Sequence, residues 1–131
     1  KGLDDADLIL IGVSRTGKTP TCLYLAMQYV LKAANFPLTE DDFMHGSLPG
    51  PLREHRDRLF GLSIAPERLH RIRDERSPGS TYASLAQCRR EVSAAEDLFR
   101  SSAIPFLDST TVSIEELAIE IMQRIGVQRH Y

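Results

Sequence analysis

A chain of 131 residues, 42% hydrophobic and 26% charged, is long enough to bury one compact core and too short for two ordinary domains. Sixteen Lys plus Arg stand against eighteen Asp plus Glu, a net charge of −2, which argues against a general nucleic-acid binder. The apolar runs fall far short of a membrane span and no signal peptide is visible, so a cytoplasmic protein without membrane or nucleic-acid partners is expected. Cys22 and Cys88 both lie in helical patterns without metal-type spacing, and they read as reduced core residues. The chain starts at Lys1 rather than Met and enters a strand within a few residues. Residues 1–131 are therefore expected to form one catalytic domain, the C-terminal part of a longer protein.

Asp4, Asp5 and Asp7 mark turn positions ahead of the first strand, the apolar run Leu8 to Ile11. The segment from Gly12 to Thr19, GVSRTGKT, then fits G-x-x-x-x-G-K-[ST] at every fixed position. A loop of this length between strand and helix turns successive backbone N–H groups inward, making a nest for phosphate oxygens at the positive end of the helix. Gly12 and Gly17 permit angles and approaches that a Cβ blocks, Lys18 adds a point charge, and the Thr19 hydroxyl is placed to ligate Mg²⁺. Chance matches arise on the order of once in a few hundred chains of this size. The match also sits between an apolar run and a helical pattern, as its mechanism requires, which disfavours an ordinary glycine-bearing turn.

Leu23, Ala26, Met27, Val30 and Leu31 fall at helical spacing and predict the apolar face of the following helix, with Pro20 in its first turn. Ala34 to Leu38 predicts a second strand, which Pro37 places at an edge. Thr39 to Pro51, with Glu40, Asp41 and Asp42 and then Gly46, Pro49 and Gly50, reads as a loop, and Asp42 or Asp41 is a candidate general base. His55-Arg56-Asp57 imitates the catalytic triplet of eukaryotic-type protein kinases. That loop needs Asn five residues after the Asp, where this chain has Leu62, and D-F-G and G-x-G-x-x-G are missing too, so the match is rejected.

Arg58 to Ile64 predicts the third strand, and Pro66 opens a helix to about Arg76. Arg68, His70, Arg71, Arg73 and Arg76 make that helix strongly basic. Beside a phosphate nest, arginines suit bidentate contact with a phosphoryl group, against the common alternative of a solvated face. After a Pro-Gly loop, Leu85, Cys88, Val92, Ala95 and Phe99 trace a helix that Ser84 and Gln87 cap. Ala103 to Leu107 predicts the fourth strand, and Asp108 at its end is a loose Walker-B candidate for holding Mg²⁺ opposite Thr19. Ser113 and Glu116 cap a last helix carrying Ile114, Leu117, Ala118, Ile121, Met122 and Ile125 up to Gly126. Alternating strands and helices predict an α/β fold, a P-loop-containing three-layer arrangement with a mainly parallel sheet covered on both faces. The Gly12 to Thr19 loop then lies beyond the C-terminal strand ends, where ligands bind.

GVSRTGKTPT followed by LYLA, then AANFP, LFGLSIAPERLHRIRDER and YASLAQC, resembles the C-terminal domain of the phosphoenolpyruvate synthase regulatory proteins. These are related to the plant pyruvate, phosphate dikinase regulatory proteins. The resemblance covers nearly the whole chain and implies two opposed reactions. One is ADP-dependent phosphorylation of a Thr on phosphoenolpyruvate synthase or pyruvate, phosphate dikinase, which inactivates that target. The other removes the group with inorganic phosphate and releases pyrophosphate. Carried over by position, the nucleotide loop falls on Gly12, Val13, Ser14, Arg15, Thr16, Gly17, Lys18 and Thr19. The family's Ile-Arg pair and following Arg fall on Ile72, Arg73 and Arg76, and its tyrosine on Tyr82. A homo-oligomer is compatible with this reading. Two alternatives stand beside it: a P-loop kinase of small metabolites, and a nucleotide-gated binding module. The second lacks the D-x-x-G and N-K-x-D signatures of a GTPase-type switch.

Overall fold

A computed structural model describes residue 3 and residues 5–124. Its centre is a four-stranded sheet in the order β2-β1-β3-β4, formed by β1 (Leu8–Gly12), β2 (Ala33–Pro37), β3 (Leu59–Ser63) and β4 (Phe106–Asp108). Every pairing is parallel: Leu10 lies opposite Asn35 and Phe60, and Leu62 opposite Leu107. β2 is an edge strand, which suits Pro37 at its end.

Side-chain alternation in β1 assigns the two faces. Leu8 and Leu10 join one core with Phe60 and Leu62, covered by α1 (Lys18–Tyr29) and α6 (Ile114–Arg124). Ile9 and Ile11 point the other way, into a core completed by α3 (Gly50–Arg53), α4 (Pro66–Arg76) and α5 (Leu85–Ser101). All five residues of β1 and of β3 are buried, as expected of central strands covered on both faces. Gly61 is fixed by packing, because a Cβ there would stand 2.7 Å from the Phe99 ring.

Two expectations are corrected. The stretch from Thr39 to Pro51 is not one loop: it contains α2 (Glu40–His45) and the start of α3. Asp42 accepts from the Thr39 amide at 2.8 Å and from its hydroxyl at 3.1 Å, so it ties off the first turn of α2. The apolar face of α1 is also rotated from its expected position. Leu23 and Met27 are 60% and 76% exposed, Val30 beyond the helix end is 81% exposed, and Ala26 also faces outward. The buried side runs through Lys18, Thr21, Cys22 and Leu25, at i, i+3, i+4 and i+7. The loop sets this phase, because Lys18 is the first helical residue and is turned back into the loop.

Helices α5 and α6 begin where their capping residues stand. Ser84 Oγ accepts from the Gln87 amide at 3.2 Å. Ser113 and Glu116 exchange reciprocal bonds of 3.0 and 3.1 Å. The His55-Arg56-Asp57 triplet leads into a short 3₁₀ turn (Arg56–Arg58) before β3, at the amino edge of the sheet and away from the loop. Asp4, and Ile125 and Gly126, where the sequence predicts the end of the last helix, lie outside the described residues.

Candidate functional site

The order β2-β1-β3-β4 makes the chain leave β1 toward one side and resume at β3 on the other. A crevice opens at the carboxyl edge between two such strands. The loop after β1 occupies it, and around that loop lies an open cleft of about 580 Å³.

The loop is shaped by two close approaches. A Cβ on Gly12 would stand 2.5 Å from the Leu62 carbonyl oxygen, so only glycine lets β1 and β3 meet there. Gly17, at φ 94°, makes the left-handed step into α1, and Arg15 also takes a positive φ of 71°. Inside the turn, the Val13 carbonyl accepts from Lys18 Nζ at 2.7 Å and from Thr16 Oγ1 at 3.0 Å. Burial lowers the Lys18 pKa from 10.5 to about 8, with the charges of Arg73 and Arg15 acting in the same direction and Cys22 opposing them. Burial likewise pushes the Cys22 thiol up to about 11 and raises Cys88, so neither buried thiol is a ready nucleophile.

The loop is anchored on both flanks. On the α4 side, Arg73 is fully buried and its guanidinium pairs with Glu91 of α5 at 2.9 Å. The same guanidinium donates to Ser14 Oγ at 3.1 Å and to the Tyr82 carbonyl at 3.0 Å, and it lies 4.1 Å from the centre of the Tyr82 ring. The Tyr82 hydroxyl shares a 2.5 Å hydrogen bond with Ser14 Oγ. On the α6 side, Ser109 Oγ meets the Thr16 carbonyl at 3.0 Å and the Ser63 carbonyl at 3.1 Å.

The cleft brings together Ser14, Arg15, Thr16, Gly17, Lys18 and Thr19 of the expected nucleotide loop, while Gly12 and the buried Val13 lie beneath it. Arg73 supports the loop from below and does not line the cleft, and the exposed Arg76 does not line it either. Asp42 belongs to the cap of α2, away from the cleft lining. Asp108 stands just before the lining residues Ser109 and Thr110, with its carboxylate accepting from the Thr110 amide at 2.8 Å and from the Thr110 hydroxyl.

Arg68 is the basic residue of α4 that does line the cleft, and sequence reasoning did not separate it from its neighbours. The signal was available. Pro66 fixes the helix start, a helix following a parallel strand starts at the carboxyl edge, and Arg76 lies eight residues further along, roughly 12 Å down the axis. Arg15, Lys18 and Arg68 thus face a cleft whose described lining contains no Asp or Glu. Thr19 presents an exposed hydroxyl there, and no cluster of three His, Cys, Asp or Glu that could hold a metal occurs among the described residues. That donor set fits Mg²⁺ taking most of its ligands from phosphate oxygens and water.

Sheet order, loop and cleft together define a P-loop-like α/β protein of three layers. Residues 1–122 match the family model described as Kinase/pyrophosphorylase, and the chain belongs to that family. It is 59% identical over 127 residues to a protein of Bordetella avium (strain 197N) named "Putative phosphoenolpyruvate synthase regulatory protein", covering 97% of this chain and 46% of that one. Proteins of the same name from Hahella chejuensis (strain KCTC 2396) and Laribacter hongkongensis (strain HLHK9) are 56% and 55% identical. The alignments cover 97% and 100% of this chain, and 47% and 48% of those relatives. The chain therefore spans just under half the length of these curated relatives. No helix among the described residues is long and apolar enough to cross a membrane.

Proposed function

We propose that this chain is the nucleotide-binding catalytic domain of a bifunctional regulator of phosphoenolpyruvate synthase or of pyruvate, phosphate dikinase. In one direction the β-phosphoryl group of ADP passes to a target Thr hydroxyl, leaving AMP. In the other, inorganic phosphate takes the group from the phosphothreonine, giving pyrophosphate and the free hydroxyl. The observation that carries the reading is the cleft around the Gly12 to Thr19 loop, which faces three cations and no carboxylate among its described lining residues. Membership of the Kinase/pyrophosphorylase family supports it.

Both reactions move a phosphoryl group between oxygens, so positioned positive charge can serve both transition states. The loop amides and Lys18 hold the phosphate oxygens. Lys18 must exchange its bond to the Val13 carbonyl for one to the ligand, and with its pKa lowered only to about 8 the amine still carries its charge near neutral pH. Mg²⁺ on the Thr19 hydroxyl would neutralise charge on the nucleotide phosphates. Arg73 and Glu91 keep Ser14, and with it the loop, in place. Neither Asp42 nor Asp41, the carboxylates expected as general base, lines the cleft, whereas Asp108, expected to hold Mg²⁺, stands beside it and is the better placed of the three for the base.

The direct experiment follows label from β-labelled ADP, with the intact protein and purified target dikinase. Label is expected on a target Thr, and later addition of phosphate should release it as pyrophosphate. Absence of transfer from ADP, with ATP turned over on small molecules instead, would overturn this reading.

A further inference from the structure

The two walls of the cleft differ in chemistry. Toward α6 it is lined by Val112, Ile114 and Leu117 together with the neutral hydroxyls of Ser109, Thr110 and Ser113, a wall with apolar patches and no charge. Val112 and Ile114 are 40% and 37% exposed, so this surface is open to a flat ring. Toward α4 it is lined by Ile64, Ile72, Tyr82 and Arg68, so of the two walls this one carries the charge. These walls belong to opposite faces of the sheet, since α6 packs in one core and α4 in the other, and the phosphate loop lies between them.

Arg68 also differs from the other α4 arginine near the loop. Arg73 is committed to Glu91, Ser14 and Tyr82, whereas the exposed Arg68 side chain has no hydrogen-bond or ion-pair partner among the described residues. A guanidinium without a protein partner, at the rim of a cleft without carboxylates, is free to fork onto a phosphoryl group.

We infer that Arg68 is the residue that receives the phosphorylated side chain of the protein target, on the wall opposite the nucleoside. The inference rests on the phosphoryl-transfer reading above and adds a direction to it. In phosphoryl transfer the attacking and leaving oxygens stand roughly in line on opposite sides of the moving group. With the nucleoside against the apolar α6 wall and the moving group over Lys18, the target oxygen must approach from the α4 wall. In the reverse direction an oxygen of inorganic phosphate bonds to the phosphorus as its bond to the threonine oxygen breaks, and that oxygen takes up a proton. The attacking phosphate then occupies the place of the AMP phosphate. It therefore competes with AMP, while Arg68 contacts the phosphothreonine.

The experiment uses the intact protein, wild type, Arg68→Gln and Arg68→Lys, with the phosphorylated target. ADP affinity is measured by calorimetry, and initial rates of pyrophosphate release are measured while target and phosphate are varied separately. In Arg68→Gln the KM for phosphorylated target should rise by about tenfold to a hundredfold, as expected for loss of charge-assisted hydrogen bonds. ADP affinity and the KM for phosphate should stay within about twofold, and Arg68→Lys should recover part of the loss. An unchanged KM for target overturns the proposal. An equal loss of ADP affinity would make Arg68 a nucleotide contact, and a rise confined to the phosphate KM would make it the inorganic phosphate site; either result overturns it too. Failure of the wild-type protein to bind ADP would sink the nucleotide reading itself, a separate failure visible before any variant is made.

Discussion

The loop between Gly12 and Thr19 is held in two unlike ways. On its α4 flank a buried ion pair, Arg73 with Glu91, fastens Ser14 through the guanidinium and is covered by the Tyr82 ring. On its α6 flank one neutral hydroxyl, Ser109 Oγ, meets the Thr16 carbonyl at 3.0 Å. A buried pair costs desolvation and makes removal of either partner severe, whereas a neutral hydroxyl contributes little and yields easily. The head of the loop is thus fixed against α4 and α5, and its descending limb is only tethered.

The strongest way to break this contrast is Arg73→Ala. It leaves the Glu91 carboxylate buried without its cation, and urea denaturation should show a loss of about 3–5 kcal/mol. Arg73→Lys should rescue little, because an ammonium cannot reach Glu91, Ser14 and the Tyr82 carbonyl in one fork. A loss below about 1 kcal/mol in Arg73→Ala would show that the pair is not the main anchor.

Lys18 gives an effect of intermediate size, with a defined pH window. Its folded pKa of about 8 lies below the ordinary 10.5, so below pH 8 the amine is charged in both states and the folded state bears its burial cost. Between about 8 and 10.5 the folded protein has released the proton and the unfolded chain still holds it, so stability rises with pH across that window. The Lys18→Met curve should lack this slope, so the slope appears in the difference between the wild-type and variant stability curves. Nucleotide affinity should run the other way, falling as pH passes 8, because the ligand needs the charged amine.

The smallest effect expected is that of Ser109→Ala, about 1 kcal/mol by thermal or urea unfolding. A loss as large as that of Arg73→Ala would erase the distinction between the flanks.

Much of the frame was legible because it is local. The apolar run before Gly12, Pro66 at the start of α4, and the caps at Ser84 and Ser113 each place an element boundary within a few residues. What could not be read depends on distance along the chain. Arg73 read as a phosphate clamp because its partner Glu91 lies eighteen residues away on another helix, and no pattern within α4 announces that pairing. The buried side of α1 was misplaced for a related reason. Apolar spacing alone favoured Leu23 and Met27, but the loop fixes where Lys18 points and so rotates the helix. The short α2 did leave a signal in Thr39 and Asp42, hidden by an acidic stretch that also suits a loop. The candidate site divides in the same way: the Gly12 to Thr19 loop that lines the cleft was visible as a motif, whereas Arg68 emerged only once the helix start was set against the strand edge.

The central claim is that one phosphate nest serves both directions of transfer, and the most direct test is Lys18→Ala in the intact protein, assayed with ADP and unmodified target and with phosphate and phosphorylated target. Both activities should disappear while the circular dichroism spectrum and cooperative unfolding are retained. Full activity in either direction would contradict a shared nest and require a second site for that reaction.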